Sequence, residues 1–582
     1  MKHLQYLNKF LWKYRNLLIA GTIFIIISNI FALYPAEFVR EAFDSVLLSV
    51  EKGTQSSPKI RYTILKYGGL IISFAILKGV FMFVMRQTVI VMSRKIEFDL
   101  KNEIYQQYQK LSMSFYKENK TGDLMNRISE DVSRVRMYLG PALMYGINIL
   151  ILFYLVISKM LSINSTLTWY VLLPLPALAI LVYFVSSNIN KKSERVQEQL
   201  SQITTISQET FSGIKIIKSF GNEASTWKVF LNSCKSYTKK QMKLVKIEAV
   251  FFPLIITMIG MSTILTIYIG GEESFKGNIT TGNIAEFIIY INMLAWPVAS
   301  VGWVTSIVQR AAASQERINN FLLLESKIQN NTLAPTKITG DIHFENVSLT
   351  YDDSNITALN DISFSIKEGT TLGVFGKTGS GKSTIANLVC RLYDTTKGNI
   401  TFDTTNIKDL NLFSLRSCIG YIPQDGYLFS GSVKENIAFG SNTVDKKTIL
   451  KAAKKAEILK EINSFNNGFE TIIGERGVKL SGGQRQRLAI ARTFFKKPKI
   501  FIFDDCLSAI DATKEQKILK NLKLESKGKT SIIISHRIAT LKDSDHIIVL
   551  KEGELIEQGT HQSLIKKKGF YYQINKSQNN SI

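Results

Sequence analysis

The first half of the chain contains uncharged stretches that are long enough to cross a lipid bilayer as helices. Five of them hold 21 or more residues without a charge: residues 16–36, 137–158, 160–190, 249–271 and 287–309. A sixth apolar segment, residues 67–93, is interrupted by Lys78 and Arg86. Because about 20 apolar residues in a helix span the hydrocarbon core, the sequence predicts six membrane-spanning helices rather than a soluble helical protein.

The connections between these segments differ strongly in positive charge. Residues 94–136 carry nine Lys and Arg, and residues 191–246 carry eleven. Lys159 is the only Lys or Arg between the third and fourth segments, and Lys276 is the only one between the fifth and sixth. Since basic loops remain on the cytoplasmic side, we expect a multi-pass protein of the cytoplasmic (inner) membrane with both termini in the cytoplasm. The net charge of +25 then matches an anionic lipid surface and does not indicate nucleic acid.

Each of the two basic loops is long enough to form a helical hairpin that extends beyond the membrane. Turn-like residues lie within both loops, at 114–116 and 121–123 in the first and at 209–221 in the second. We expect short helices at these two tips, which would dock on a soluble domain. Solvated loops are the alternative.

After residue 340 the sequence changes to apolar strands that alternate with helical segments. This pattern predicts a mostly parallel α/β core for residues 340–582. A predicted strand, residues 371–375, leads into a glycine-rich loop, and residues 382–391 continue as a helix. A strand, a loop and a helix in this order are the context of a phosphate loop, here formed by Gly376, Lys377, Thr378, Gly379, Ser380, Gly381, Lys382, Ser383 and Thr384.

The residue types of this loop suit a nucleoside triphosphate. Its glycines allow backbone N–H groups and a helix N-terminus to surround the phosphates. Lys382 is expected to contact the β- and γ-phosphates, and Ser383 is expected to hold Mg²⁺. The sequence therefore predicts binding of ATP and Mg²⁺.

Four other side chains are candidates for the same site. Asp504 ends an apolar strand and is expected to order Mg²⁺ through water. The amide of Gln424 lies on a loop where it could contact both the metal and the attacking water. Tyr351, 25 residues before the first glycine of the phosphate loop, could stack on adenine or be an ordinary strand aromatic. His536 closes another apolar strand and could hydrogen-bond the γ-phosphate, although a histidine there could also be unremarkable.

A second candidate anion-binding turn lies well after the phosphate loop in the sequence. It follows Leu480 and consists of Ser481, Gly482, Gly483 and Gln484. Two phosphate-binding elements so far apart fit an ATP molecule that is held between two domains, each supplying one element.

Together these motifs resemble the ATP-binding cassette exporters of the lipid A flippase and multidrug type. The similarity covers nearly the whole chain and includes residues 508–511. It also includes residues 474–477, and these four residues look like an exporter-specific element that contacts the membrane domain. It implies an all-α transmembrane domain of the type I/IV exporter fold, residues 1–325, a linker, 326–339, and an α/β P-loop NTPase domain, 340–582. It also implies ATP hydrolysis coupled to export or flipping of a hydrophobic or amphipathic substrate.

By this resemblance the active unit is a dimer with a second half-transporter, either identical or different. Family members with competent sites carry a glutamate after the strand-end aspartate as general base or water-positioning group, whereas this chain carries Asp505. The resemblance therefore leaves open a slowly hydrolysing, regulatory subunit of a heterodimer. A membrane-tethered cassette ATPase for DNA or translation is a third alternative, which the six spans oppose. Lys78 and Arg86 could face a cavity for an anionic lipid, or extend to the membrane surface.

Overall fold

The computed structural model describes residues 2–52, 58–441, 445–474, 477, 480–507 and 510–579. The chain divides into two compact units. The helical unit consists of Met1–Gln109 and Gly122–Leu324. The α/β unit consists of Lys110–Thr121 and Glu325–Ile582, so it includes a short segment from within the first basic loop.

The helical unit is built on long apolar helices, preceded by the helical segments Lys2–Leu7 and Asn8–Lys13. In the described part of the chain, six helices are long and apolar enough to cross a membrane, which agrees with the six predicted spans. The helices are α1 Arg15–Glu51, α2 Pro58–Lys110, α3 Thr121–Ile163, α4 Ser165–Ser212, α5 Glu223–Phe275 and α6 Thr281–Leu322.

Several of these helices are much longer than a bilayer is thick. Helices α2 and α5 have 53 residues each, which at 1.5 Å per residue corresponds to about 80 Å. The hydrocarbon core takes up only about 30 Å of this length. Two short helices occur where the sequence predicts them, and we call them the first tip helix, Met113–Glu118, and the second tip helix, Ile214–Ser219.

A buried polar network joins α1 to the start of α6. The Glu286 side chain is fully buried, and it accepts a hydrogen bond of 2.8 Å from the Tyr290 hydroxyl and lies 3.4 Å from Arg40 Nη1. Asp44 Oδ1 accepts from the backbone N–H of Gly282 at 2.9 Å. A Cβ atom at Gly282 would lie 2.5 Å from that oxygen and 2.6 Å from the Arg40 carbonyl oxygen. The absent side chain therefore allows the two helices to approach closely, and both the buried Glu286 carboxylate and the half-buried Asp44 carboxylate have hydrogen-bond partners.

The α/β unit contains a six-stranded sheet in the order β10-β9-β3-β8-β7-β6. All its neighbouring strands are parallel except β9 and β10. Strand β7 is buried throughout, and β3 and β8 nearly so, as expected for parallel strands covered on both faces. The prediction of a mostly parallel sheet is confirmed here. The strands are β3 Thr371–Gly376, β6 Ile419–Ile422, β7 Ile500–Asp504, β8 Thr530–Ser535, β9 His546–Lys551 and β10 Glu554–Gly559.

A second, antiparallel sheet has the order β2-β1-β4-β5, and the sequence pattern alone does not reveal it. Its strands are β1 Ile342–Tyr351, β2 Ile356–Ile366, β4 Lys397–Phe402 and β5 Thr405–Asn406. Besides the first tip helix, which lies within Lys110–Thr121, the helices of the α/β unit are α7 Lys382–Val389, α8 Leu412–Cys418, α9 Val433–Ile437, α10 Lys446–Lys455, α11 Leu459–Ser464, α12 Gly482–Lys496, α13 Ala512–Ser526, α14 Ile538–Leu541, α15 His561–Lys567 and α16 Phe570–Asn579.

Asp403 holds the backbone at the end of the predicted linker. Its carboxylate accepts from the backbone N–H groups of Thr339, Gly340 and Asp341 at 2.9, 3.2 and 3.1 Å, and from the Thr339 hydroxyl. Burial by itself raises the pKa of Asp403, but these donors outweigh it and hold the pKa below its ordinary value of 3.8. The ionised carboxylate thus stabilises the end of the predicted linker.

Candidate nucleotide-binding site

The phosphate loop connects the end of β3 to the start of α7, as the sequence predicts. Gly379 and Gly381 have φ angles of +84° and +92°, in the left-handed region that favours glycine. At Gly381 a Cβ atom would also lie 2.3 Å from the Ala358 carbonyl oxygen, and at Gly376 it would lie 2.4 Å from Ser380 Oγ. The glycines are therefore required by the path of the backbone.

The polar groups of the loop fit a bound phosphate chain. Ser380 Oγ is buried and has no hydrogen-bond partner within the described part of the chain. Lys382 Nζ donates to the Lys377 carbonyl oxygen at 2.7 Å, and burial lowers the pKa of Lys382 against the opposing influence of nearby carboxylates. A desolvated ammonium group and an unpartnered hydroxyl are groups that phosphate oxygens would stabilise.

Asp504 lies at the carboxyl end of β7 with only 3% of its surface exposed. Its two oxygens accept from two different hydroxyls: Oδ1 from Ser383 at 2.9 Å and Oδ2 from Tyr421 at 3.2 Å. Burial raises the pKa of Asp504, while these two hydrogen bonds oppose the shift. Sequence reasoning proposed Ser383 and Asp504 but missed Tyr421, whose only signal is its place in the strand just before Gln424.

This donor set also fits Mg²⁺. Among the described residues there is no group of three or more His, Cys, Asp or Glu that could hold a metal ion by itself. One hydroxyl and one carboxylate beside a phosphate-binding loop suit Mg²⁺, because this ion takes few protein ligands and completes its shell with phosphate oxygens and water.

Asp505 directly follows Asp504 in the chain and lies next to His536. Asp505 Oδ2 is 2.9 Å from His536 Nδ1. The hydrogen bond forms in the tautomer that carries the hydrogen on Nδ1, because an ionised carboxylate only accepts hydrogen bonds. The φ angle of Asp505 is +44°, and its N–H donates to the Ile534 carbonyl oxygen at 2.9 Å. The structure thus brings two of the predicted catalytic side chains into contact at one edge of the sheet.

Tyr351 also lies beside the phosphate loop, because its hydroxyl is 3.1 Å from Thr384 Oγ1. The edge-on ring of Tyr393 lies 5.1 Å from the Tyr351 ring, between centroids. Lys117 Nζ, from the first tip helix, lies 4.1 Å from the centre of the same ring. Stacking of Tyr351 on adenine stays a prediction. Nothing in the sequence indicates the contact with Lys117, because it joins residues far apart in the chain.

The second predicted anion-binding turn forms the start of α12. Ser481 Oγ accepts from the N–H of Gln484, and Gln484 Oε1 accepts from the N–H of Ser481 at 2.9 Å, so the two side chains cap the helix. Gly482 and Gly483 form the first turn, where N–H groups are available to an anion. No hydrogen bond among the described residues joins this turn to the phosphate loop.

Gln424 is connected to α12 through its backbone, because its carbonyl oxygen accepts from Gln486 Nε2 at 3.1 Å. The Gln424 side chain is exposed. Two of the motifs named above fall partly outside the described residues, namely Glu475 and Arg476 in one and Ser508 and Ala509 in the other.

Comparisons with known proteins identify a family for each of the two units. The ABC transporter transmembrane region family matches residues 18–298, and the ABC transporter family matches residues 359–508. The probable multidrug resistance ABC transporter ATP-binding/permease protein YheI of Bacillus subtilis is 36% identical over 79% of this chain and 79% of its own length. The uncharacterized ABC transporter ATP-binding protein YknU of the same organism is 32% identical over 99% and 97%.

Two more comparisons agree. The multidrug resistance-like ATP-binding protein MdlA of Escherichia coli is 33% identical over 82% of this chain and 81% of its own length. In fold, the chain is similar to a bacterial Atm1-family ABC exporter solved with ATP bound, with a TM-score of 0.79 at 24% identity over 97% of this chain and 98% of that one. The chain therefore belongs to the ABC transporter family, as an ATP-binding and ATP-hydrolysing half-transporter that joins a membrane region to an ABC ATPase domain.

Proposed function

We propose that this chain is one half of a dimeric pump that uses ATP to export a hydrophobic or amphipathic substrate across the cytoplasmic membrane. Residues 1–325 would be the transmembrane domain, 326–339 the linker and 340–582 the nucleotide-binding domain, with the termini and the nucleotide-binding domain in the cytoplasm. The observation that carries the proposal is the Ser383–Asp504 pair beside a phosphate loop, in one chain with six apolar helices. The names of the relatives YheI and MdlA, both of which refer to multidrug resistance, support it.

We assign roles at the nucleotide site from the contacts described above. Lys382 would give up the Lys377 carbonyl and neutralise the β- and γ-phosphates. Ser383, Asp504 and Gln424 would hold Mg²⁺, which when bound neutralises charge that develops on the phosphates. The backbone of the phosphate loop would surround the phosphates, and the first turn of α12 would supply N–H groups to the ATP of a partner chain.

Asp505 would activate the attacking water, and His536 would orient Asp505. The carboxylate of Asp505 can accept a hydrogen bond from water and take up its proton as the water oxygen attacks the γ-phosphorus and the bond to the leaving ADP breaks. His536 would hold Asp505 through Nδ1–H. Its other nitrogen, Nε2, can donate to a γ-phosphate oxygen only in the imidazolium form, because the neutral ring has a single N–H group.

A cavity of about 910 Å³ in the helical unit fits the proposed substrate class. It lies among α3, α4 and α6, with Phe153 and Trp169 on its largely apolar wall. Lys191 and Glu194, one of each charge, belong to the lining and would accept the polar end of an amphipathic molecule. Lys78 and Arg86 are exposed on α2, outside this cavity, so an anionic-lipid site at those two residues gains no support from it.

The proposed partner is a second half-transporter. The second tip helix and its flanks expose large apolar side chains: Phe211 is 75% exposed, Ile216 65% and Phe220 83%. The α/β unit separately exposes the stacked rings of Phe429 and Phe439, whose centroids are 4.4 Å apart. Apolar groups this exposed are typical of surfaces that are covered in an assembly. We propose that each of these surfaces binds the partner chain.

A substrate-stimulated ATPase assay on the purified protein in lipid nanodiscs tests the proposal. Lys382→Ala should abolish turnover. Phe153→Ala should raise the concentration of a hydrophobic cation needed for half-maximal stimulation, while Tyr154→Ala, on the 74% exposed neighbouring side chain, should not. Turnover that survives Lys382→Ala, or equal effects of the two aromatic substitutions, would contradict the nucleotide site or the substrate cavity, respectively.

A second candidate function rests on Asp505. In this alternative the chain is the slowly hydrolysing, regulatory subunit of a heterodimer, and Ser481–Gln484 completes the partner's fast site. Ser481→Arg should then abolish the activity of the co-expressed pair, whereas Lys382→Ala in this chain should reduce it only partly. Equal and complete loss with both substitutions would favour two equivalent sites instead.

A further inference from the structure

We propose that Tyr421 is a positioning residue that fixes the orientation of the Asp504 carboxylate for Mg²⁺ bound with the nucleotide. The inference rests on the proposed use of Mg-ATP at this site. It adds a residue that neither the phosphate loop nor the other motifs include.

The two oxygens of Asp504 are held by separate donors. Ser383 Oγ donates to Oδ1 at 2.9 Å, and Tyr421 Oη donates to Oδ2 at 3.2 Å. Tyr421 lies on β6, which is parallel to β7 and pairs Tyr421 with Ile502. The phenol therefore reaches along the neighbouring strand to a carboxylate two residues further on.

The two donors would respond differently to a bound metal ion. Ser383 is itself a proposed metal ligand, so its oxygen would turn towards the ion. Tyr421 belongs to a strand of the central sheet, and nothing in the proposed metal shell requires its hydroxyl. Its hydrogen bond can therefore persist before and after metal binding and leave Oδ1 as the oxygen that faces Ser383.

Fixing the orientation of the Asp504 carboxylate in advance should strengthen metal binding. The terminal torsion of an aspartate is broad, so a carboxylate held at one oxygen only can rotate. A second hydrogen bond restricts this rotation in advance, and partners that orient a metal ligand are typically worth about 10- to 100-fold in metal affinity. Loss of the phenol hydroxyl alone should therefore weaken metal binding while the ring continues to fill its space.

The experiment is a titration of the full-length protein with Mn²⁺ in the presence of ADP, followed by electron paramagnetic resonance of the free ion. Tyr421→Phe should raise the apparent Kd for Mn²⁺ by about tenfold. The affinity for ADP without metal should be unchanged, since the phosphate loop is intact. Tyr572→Phe, a change of the same chemistry in α16, is the control and should leave both affinities at the wild-type value.

Each other outcome overturns a defined part of the reasoning. An unchanged Mn²⁺ affinity in Tyr421→Phe would exclude the positioning role and leave the proposed function standing. An equal loss of metal-free ADP affinity would show that Tyr421 acts through packing, which also excludes the role. A wild-type protein that binds no Mn²⁺ with ADP would refute both the inference and the proposed Mg²⁺ site.

Discussion

Replacing Asp505 by glutamate should raise the rate of ATP hydrolysis and lower the stability of the α/β unit. The longer side chain moves the carboxylate forward by about the length of one carbon–carbon bond, 1.5 Å. A misplacement of about 1 Å can cost on the order of 10²-fold in rate, or about 2.7 kcal/mol of barrier. His536 must shift from its 2.9 Å contact with this side chain to make room. We therefore expect the hydrolysis rate to rise by roughly tenfold, which is less than the 10²-fold that full correction of the misplacement would give.

The loss of stability comes from the backbone. Asp505 has a φ angle of +44°, and this region costs most residues about 1 kcal/mol or more, whereas aspartate tolerates it better. For a unit of this size, about 1 kcal/mol lowers the melting temperature by roughly 2–4 °C. The glutamate variant should therefore be faster and melt a few degrees lower.

The assay measures ATP turnover and thermal unfolding on the same nanodisc samples, alone and with a co-expressed second half-transporter. Asp505→Asn is the matched control, since it keeps the side-chain shape and removes the charge; it should be inactive at this site and melt close to the wild type. A wild-type chain that turns over rapidly by itself, loses this activity in Asp505→Asn and gains nothing in Asp505→Glu would refute the reasoning. Aspartate would then be a competent base in a homodimer.

Three further predictions concern stability. Gly282→Ala should lower the melting temperature of the protein in detergent, because its Cβ would overlap the α1 backbone, whereas Gly146→Ala, with nothing within 4 Å, should not. Asp403→Asn should destabilise the α/β unit at neutral pH by about 1–2 kcal/mol. Because the folded pKa of Asp403 is lowered, its contribution is fully present above the unfolded value of 3.8 and lost as the pH falls through the folded value, so denaturant melts of mutant and wild type should converge there. Glu286→Leu should destabilise the helical unit more than Glu286→Gln, because leucine leaves the Tyr290 hydroxyl without its acceptor, whereas glutamine keeps an acceptor oxygen there and both variants leave Arg40 its contact with Glu41; equal melting temperatures for both would contradict the buried network.

The sequence predicts those features that depend on neighbours along the chain. Twenty apolar residues specify a spanning helix by themselves, and the glycines of residues 376–381 specify a phosphate loop because the backbone path needs them. By contrast, Tyr421 meets Asp504 only because β6 and β7 are adjacent in the sheet. The strand order β10-β9-β3-β8-β7-β6, which creates this contact, is set by packing of the whole unit and not by any local pattern. The contact between Lys117 and Tyr351 escapes sequence reasoning for the same reason.

The inclusion of Lys110–Thr121 in the α/β unit affects how the protein can be divided or recombined. A fragment cut in the linker would lack Lys117 above the Tyr351 ring, and also Ser112 and Ser114, which line a cavity of about 260 Å³ beside that ring. Such a fragment leaves the Tyr351 ring without these neighbours, so we expect its nucleotide affinity to differ from that of the intact chain. Chimaeras that exchange ATPase domains between relatives should therefore transfer residues 110–121 together with residues 325–582, so that the surface around Tyr351 keeps its own cover.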